Sequence, residues 1–276
     1  MDLSFFVRDG DALAPTELAR GSWSRDSIHG VALCGALGRA AERTVDRLGR
    51  DDLRPARLTV DLFAAPRFEP CVLASEVVRE GPRICLVDVQ LTQAGKRVAR
   101  AGVLFLKATG SAPGAVWSPE HGPILPPLDV VPPSDQPRVP FVQSDSEWSQ
   151  DFREHQNSGR KTTWNSAVAV VAGEPLTPFQ AAAATADGVN LVTNWGSNGV
   201  EHINTDVTLA LARAPIGTEI GLAAVDRVEQ DGIAVGTATV FDRSGPLGTV
   251  MCTVIANAQR TVDMGGKKYE DDPRSA

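Results

Sequence analysis

The chain has 276 residues, with 27 Lys and Arg against 34 Asp and Glu, a formal net charge of −7. Apolar residues make up 42% and charged residues 22%, a composition that fits one large or two ordinary globular domains. The acidic balance excludes a general nucleic-acid binder, which needs a basic surface to neutralise phosphates, while leaving room for a local basic patch where a nucleotide phosphate sits.

The first residues, MDLSFFVRDGD, lack the basic start and long apolar run of a secretory signal. No stretch reaches the roughly 18 uninterrupted apolar residues of a membrane helix. A cytoplasmic chain without a membrane span is therefore expected. A short leading segment then gives way to a run of small and apolar residues from Ile28 to Val45, which Ser27 or Asp26 is placed to cap. Four strand-like segments follow: RLTVDLFAAP, CVLASEVVREG, RICLVDVQLTQAG and KRVARAGVLFLKA. They alternate or are rich in β-branched residues, and Gly-containing turns bound them.

Residues 111 to 140 are Pro-rich, and so many prolines cannot donate ladder hydrogen bonds. This stretch is expected to be a linker lying along the surface. Beyond it the order repeats. The segment KTTWNSAVAVVAGEP leads to a second small-residue run, Pro178 to Val192, and then to INTDVTLALARAP, EIGLAAVDRVEQDG, IAVGTATVFDRSG and PLGTVMCTVIANA. Thr177-Pro178-Phe179-Gln180 has the form of a capping box. Pro66 matches Pro215 and Gly95 matches Gly245 at nearly the same offset, which marks an internal duplication. The expected units are residues 1–110, the linker 111–140, residues 141–265 and a polar tail 266–276.

The two small-residue runs have almost no solvated face, so each reads as an enclosed helix that lets a sheet approach closely. One enclosed helix followed by antiparallel strands, written twice, predicts an α+β tandem (double) hotdog, each half an antiparallel sheet wrapped around a central helix. Cys34, Cys71, Cys85 and Cys252 lie far apart without metal-ligand spacing and read as buried free thiols. No metal or other cofactor is implied, since neither a G-x-G-x-x-G turn nor a Walker loop is present.

Across essentially the whole chain outside the linker, the sequence resembles the double-hotdog acyl-CoA thioesterases. The resemblance is carried by GSWSRDSIHGVALCGALGRAAE and LTVDLFAAP, then by VAGEPLTPFQAAAATADGVN, HINTDVTLALARAP and GPLGTVMCTVIA. It implies hydrolysis of an acyl thioester, with acyl-CoA as the usual substrate class and a homodimer as the usual assembly. It also implies a site built from an Asp on the second central helix, a small polar residue on the next strand and a Gln on the last strand. Carried over by position, these fall on Asp187, on Asn204 or Thr205, and on Met251 in place of the Gln. The first-helix motif reads His29-Gly30-Val31 where relatives often have His-Gly-Gly.

The residues support that placement on chemical grounds. Asp187 is the one ionisable residue in an otherwise apolar helix, and a buried carboxylate needs partners or a pocket. The repeat puts Gly38 opposite it, so a single site per chain is expected. Asp187 would activate water, with Asn204 or Thr205 holding the water or the carboxylate. Backbone N–H groups near His29 and Gly30 would face the oxyanion, and His29, Gly30 and Met251 would line the substrate site. Local capping near Gly188 is the bland reading of Asp187, and a capping or hydrogen-bonded role is that of His29. His202 is a second histidine near this strand, more simply read as a loop residue, and nothing recommends His121 or His155. Arg25, Arg39 and Lys161 are candidates for CoA phosphates without an assigned place. Asp206 and Arg213 read as a surface or cross-strand pair, Trp23 and Trp164 as packing residues, and the loop after Trp195 as a pocket wall or lid.

No G-x-S-x-G elbow is present, which argues against an α/β-hydrolase mechanism. The absence of a D-x-N-P-x-H-like run argues against a hotdog hydratase. The main alternative is a non-catalytic acyl-thioester or lipid-binding protein that has lost part of the catalytic set.

Overall fold

The structure is a computed structural model that describes residues 3–119 and 122–266. The polar tail from residue 267 onward and His121 lie outside the described residues. In the first half, β1 (Ser4–Asp9) and β2 (Ala12–Pro15) form a hairpin ahead of α1 (Gly30–Arg47). Then come β3 (Leu53–Leu62), β4 (Cys71–Gly81), β5 (Ile84–Gln93) and β6 (Lys96–Lys107). The second half starts with β7 (Arg138–Gln143), the short α2 (Phe152–His155), β8 (Thr162–Ser166) and β9 (Ala169–Val171). Its central helix is α3 (Pro178–Ala186), continued by α4 (Val189–Asn194). The small hairpin β10 (Trp195–Gly196) and β11 (Gly199–Val200) leads to β12 (His202–Asn204), β13 (Asp206–Leu211), β14 (Glu219–Gln230), β15 (Ile233–Asp242) and β16 (Gly245–Ala256).

All strands except the β10–β11 pair join one 14-stranded sheet, ordered β7-β8-β14-β15-β16-β13-β3-β6-β5-β4-β2-β1-β9, with β12 beside β16. The central seam is the antiparallel pair β3–β13, where Thr59 faces Thr208. Pro66 and Pro215 are 149 residues apart, and the same step takes Thr59 to Thr208. Two equivalent residues that pair with each other mark the internal pseudo-twofold. The step also carries the ladder irregularity at Leu91/Thr92 onto the one at Val240/Phe241, so the duplication extends to backbone detail. At the far edge β1 pairs in parallel with β9. Only Ala167 and Val168 separate β9 from β8, near the opposite edge. The sheet therefore curls around the two central helices.

Those helices lie against each other along their small residues. A Cβ at Gly38 would stand 2.9 Å from the Ala183 Cβ, and one at Gly35 3.3 Å from the Ala184 Cβ. Larger residues would force α1 and α3 apart, which explains the alanines and glycines better than helix propensity does. All four cysteines are buried and free. The connection between β6 and β7 contains no helix or strand among its described residues. It is pinned where Arg243 donates to Pro126 O and Val131 O, and where Val131 packs with Trp148, Trp164 and Phe241.

Several local expectations are corrected. His29, not Ser27 or Asp26, caps α1. Ser27 is engaged in a bridge to Arg67, and the Asp26 carbonyl accepts from Phe68 N–H, so the chain is still extended there. Thr177 caps α3 as expected, its hydroxyl accepting from Gln180 N–H. The Gln180 side chain does not close the box, however, and reaches Glu42 instead. Arg213 pairs bidentately with Asp242 rather than Asp206. Arg213 lies beyond the end of β13 (Asp206–Leu211), at the turn where Asp242 and the Gly245 carbonyl meet it. Trp195 is buried against Phe152 and His155, which anchors the start of the loop that follows it.

Candidate active site

The α3–α4 helix breaks at Asp187 and Gly188, and Gly188 is closely packed there. A Cβ there would stand 3.1 Å from Leu222 Cδ1 and 2.9 Å from Thr185 O. Asp187, the C-terminal cap of α3, points across the helix pair toward the N-terminus of α1. Its carboxyl sits directly over Gly30, where a Cβ would overlap Oδ1 at 2.2 Å. The position after His29 must lack a side chain for Asp187 to reach this place.

Two donors hold the carboxyl. Asn204 Nδ2 donates to Asp187 Oδ1 at 2.9 Å, and the Val31 backbone N–H donates from the first turn of α1. Burial pushes the Asp187 carboxyl above the ordinary range, while the Asn204 amide and the Val31 N–H pull it back. As whole residues, Asp187, Asn204, Gly30 and Val31 are all half-buried. Asp187 thus bonds across the interface of the two halves rather than to backbone beside Gly188.

His29 fixes the first turn of α1. Its Nδ1 accepts from Ala32 N–H at 3.0 Å and its Nε2 lies 2.7 Å from Leu18 O, an arrangement that requires the proton on Nε2. Its own N–H donates to Ala19 O. With Val31 N–H on Asp187 and Ala32 N–H on His29, the Gly30 N–H is the donor of that turn without a hydrogen bond among the described residues. Among the polar candidates, the structure therefore brings together Asp187, Asn204 and Gly30, with His29 supporting the helix end.

Thr205 and Met251 stand elsewhere. Thr205 is exposed, and its hydroxyl shares its single proton between Asp206 Oδ1 and Thr253 O. Alternation along β12 and β13 turns it away once Asn204 points inward. Met251 is 36% exposed on the outer face of β16, whereas Val250, Cys252 and Val254 are buried. The Cys252 thiol is pushed up to about 12, chiefly by burial, with the Asp187 charge adding to the rise. Cys34, one turn along α1 from Gly30, is raised well above its usual value by the same two causes. These buried thiols stand in the electrostatic field of Asp187, and one-residue register on the last strand separates Cys252 from Met251. His202 lies on β12 rather than in a loop, with Nε2 3.5 Å from Glu229. Its carbonyl accepts from Asn190.

A second carboxyl–helix contact escaped the sequence reading. Glu42 Oε2 accepts from the Thr177 hydroxyl and from Gln180 Nε2, each at 2.8 Å, at the N-terminus of α3. Burial raises Glu42 while these two donors lower it. The signal in the sequence is the spacing Gly35, Gly38, Glu42, which lies on one face of α1. Among the described residues, no group of three or more metal-ligating side chains gathers.

Comparison with known proteins agrees with this architecture. Residues 19–106 match the family model of the acyl-CoA thioesterase N-terminal domain, and residues 124–255 that of the acyl-CoA thioesterase C-terminal domain. No curated protein sequence matches the chain. Among solved structures, the chain is similar to the tesB protein of Mycobacterium avium subspecies paratuberculosis, with 14% identity over 91% of this chain and 95% of that one, at a TM-score of 0.63. It is similar to the acyl-CoA thioesterase II TesB2 of Mycobacterium marinum, with 17% identity over 88% and 92%, at 0.61. A conserved hot dog fold protein of Alicyclobacillus acidocaldarius shares 20% identity over 92% and 96%, at 0.63. At these identities the structural likeness establishes the fold, and the family models establish the rest: the chain belongs to the acyl-CoA thioesterase family and has its double-hotdog fold.

Proposed function

We propose that the chain hydrolyses an acyl-CoA to the free acid and the thiol, with Asp187 activating the attacking water. The observation that carries this reading is the placement of the Asp187 carboxyl over Gly30, gripped by Asn204 and the Val31 N–H. A thioester carbonyl is already electrophilic, so its hydrolysis needs a general base for water and donors for the oxyanion. Asp187 supplies the first. The Gly30 N–H, at the positive end of α1, supplies a donor for the second. Asn204 orients the carboxyl and favours its ionised form against the effect of burial.

One observation favours a second reading, in which the chain binds an acyl thioester or lipid without cleaving it. The last strand turns Val250, Cys252 and Val254 inward, so it offers no amide to the carboxyl. A free-thiol release assay over short to long acyl-CoAs, on wild type and Asp187→Ala, separates the two. Turnover that collapses in the variant supports hydrolysis at this site. Saturable acyl-CoA binding without turnover supports the binding protein.

The same reading includes a homodimer in the cytoplasm. Val228, Val235, Ile233 and Ile255 neighbour one another across β14, β15 and β16 and are all exposed, an apolar patch of the kind that subunit contacts cover. Light scattering of the purified chain tests it.

A further inference from the structure

A cleft of about 170 Å³ opens between the β1–β2 hairpin, the outer face of α1 and β4, away from the Asp187 carboxyl. Arg8, Arg39, Arg43 and Arg47 line it, together with Ser75 and, at the hairpin turn, Asp11. Arg39, Arg43 and Arg47 are spaced by four residues, which stacks them on one helix face. Like charges at that spacing destabilise a helix, and the C-terminal helix dipole compensates only those near the last turn. In a chain of net charge −7, this concentration of guanidinium groups needs a reason.

The local counter-charge is smaller than the cationic charge. Glu174, in the segment before α3, accepts from Arg39 through Nε and Nη2 and from Arg8, and lies 3.7 Å from Arg43. Asp11 is the carboxylate among the lining residues, so the four lining guanidinium groups meet it and Glu174. Arg39 is buried and held rigidly by Glu174, with 8% of its side chain exposed. Arg43 is 48% exposed and makes no hydrogen bond among the described residues. Arg47 donates to the Thr44 hydroxyl, which in turn bonds Ser75. The cleft thus combines a fixed basic rim with solvent-facing guanidinium forks, a geometry matched to phosphate oxygens.

We propose that this cleft is a binding site for clustered phosphate groups on a small ligand, with Arg43 and Arg47 as the principal donors and Arg8 and Arg39 completing the rim. It is distinct from the carboxylate site. Arg39 and Arg47 lie nine and seventeen residues beyond Gly30, about 13 and 25 Å along α1. The phosphates can come from the nucleotide end of a CoA ester or from a free nucleotide.

Titration calorimetry with inorganic pyrophosphate tests the site without relying on catalysis. Saturable binding is expected in wild type and in Arg260→Gln, an exposed control. In the Arg43→Gln/Arg47→Gln double variant, binding should weaken by about tenfold or more, the scale of a lost charge-assisted contact. No saturable binding in wild type, or equal binding in the double variant with an unchanged melting temperature, overturns the proposal. Competition then identifies the source. Displacement of pyrophosphate by CoA but not by pantetheine assigns the site to the nucleotide end of the thioester. Displacement by ADP without any slowing of thiol release assigns it to a free nucleotide. Because binding is read directly, a chain that fails to hydrolyse acyl-CoA leaves this test intact.

Discussion

The two central helices are related by the repeat, and their contacts show how a duplicated scaffold becomes unequal. The 149-residue step that relates Pro66 to Pro215 takes Gly30 to Phe179 and Gly38 to Asp187. In the structure Asp187 lies over Gly30, and the Phe179 ring lies 3.5 Å from where a Cβ on Gly38 would stand. The same pair of positions is a carboxyl on glycine at one end and an aromatic ring on glycine at the other. The N-terminus of α3 still receives a carboxyl, but from Glu42, one turn beyond Gly38, and that carboxyl is taken up by Thr177 and Gln180. Each helix end therefore has its acid. Only at α1 does a glycine hold the space beneath it open, with a backbone N–H remaining in the same turn.

The largest effect that would sharpen this contrast is expected from Asp187→Asn. If Asp187 is the general base, kcat/KM for thiol release falls by about 100-fold or more, with the melting temperature little changed. Gly30→Ala comes next. Its methyl would occupy the position of the carboxyl, and displacing a reacting group by about 1 Å costs on the order of 100-fold in rate. The Phe179 end provides the control: Gly38→Ala meets the Ala183 Cβ at 2.9 Å, so overpacking lowers its stability by about 1–3 kcal/mol while the Asp187 geometry is preserved. Equal rate losses in the two glycine variants would break the contrast.

Asn204→Ala has a smaller effect with a distinctive signature. The amide favours the ionised carboxyl, so its removal raises the Asp187 pKa further. A base active only when ionised then loses activity over a wider acidic range, and the acid limb of the kcat/KM profile moves to higher pH. The rate at its plateau should fall by about tenfold, the worth of one hydrogen bond to a charged group. Thr205→Ala should leave both the plateau and the limb in place, because its hydroxyl is spent on Asp206 and Thr253.

Much of this was legible in the sequence, and the reasons are specific. Binary patterning and the repeated Pro and Gly positions give the same order of elements along each half, and small-residue helices can only be enclosed, so the double hotdog follows. Asp187 stood out because a lone carboxylate in an apolar helix demands a partner, whereas the strand position came from the family resemblance and was open between Asn204 and Thr205. Thr205 and Met251 mark where strand periodicity stops being informative. Along a strand one residue decides between core and solvent, and that parity depends on local irregularities such as the shift at Val240/Phe241, which no alternation pattern reveals. The Glu42 contact and the arginine cleft were hidden for a different reason. Both join residues more than 120 positions apart, Glu42 to Thr177 and Arg39 to Glu174, through helix packing that single-chain periodicity does not encode.

The smallest effect is expected from Glu42→Gln, and it tests whether the second acid is structural. Burial raises the Glu42 pKa above its ordinary value, so the folded chain holds this proton more tightly than the unfolded chain does. The resulting stability is fully present below the unfolded value and is lost as pH rises through the folded one. Glutamine does not titrate. The melting temperature of Glu42→Gln relative to wild type should therefore rise between pH 4 and pH 7, read by calorimetry at a series of pH values. Thiol release should be unchanged, since Glu42 lies twelve residues beyond Gly30, about 18 Å along α1. A rate loss in Glu42→Gln approaching that of Asp187→Asn would mean that both helix ends take part in turnover, and the inequality drawn from Gly30 and Phe179 would have to be abandoned.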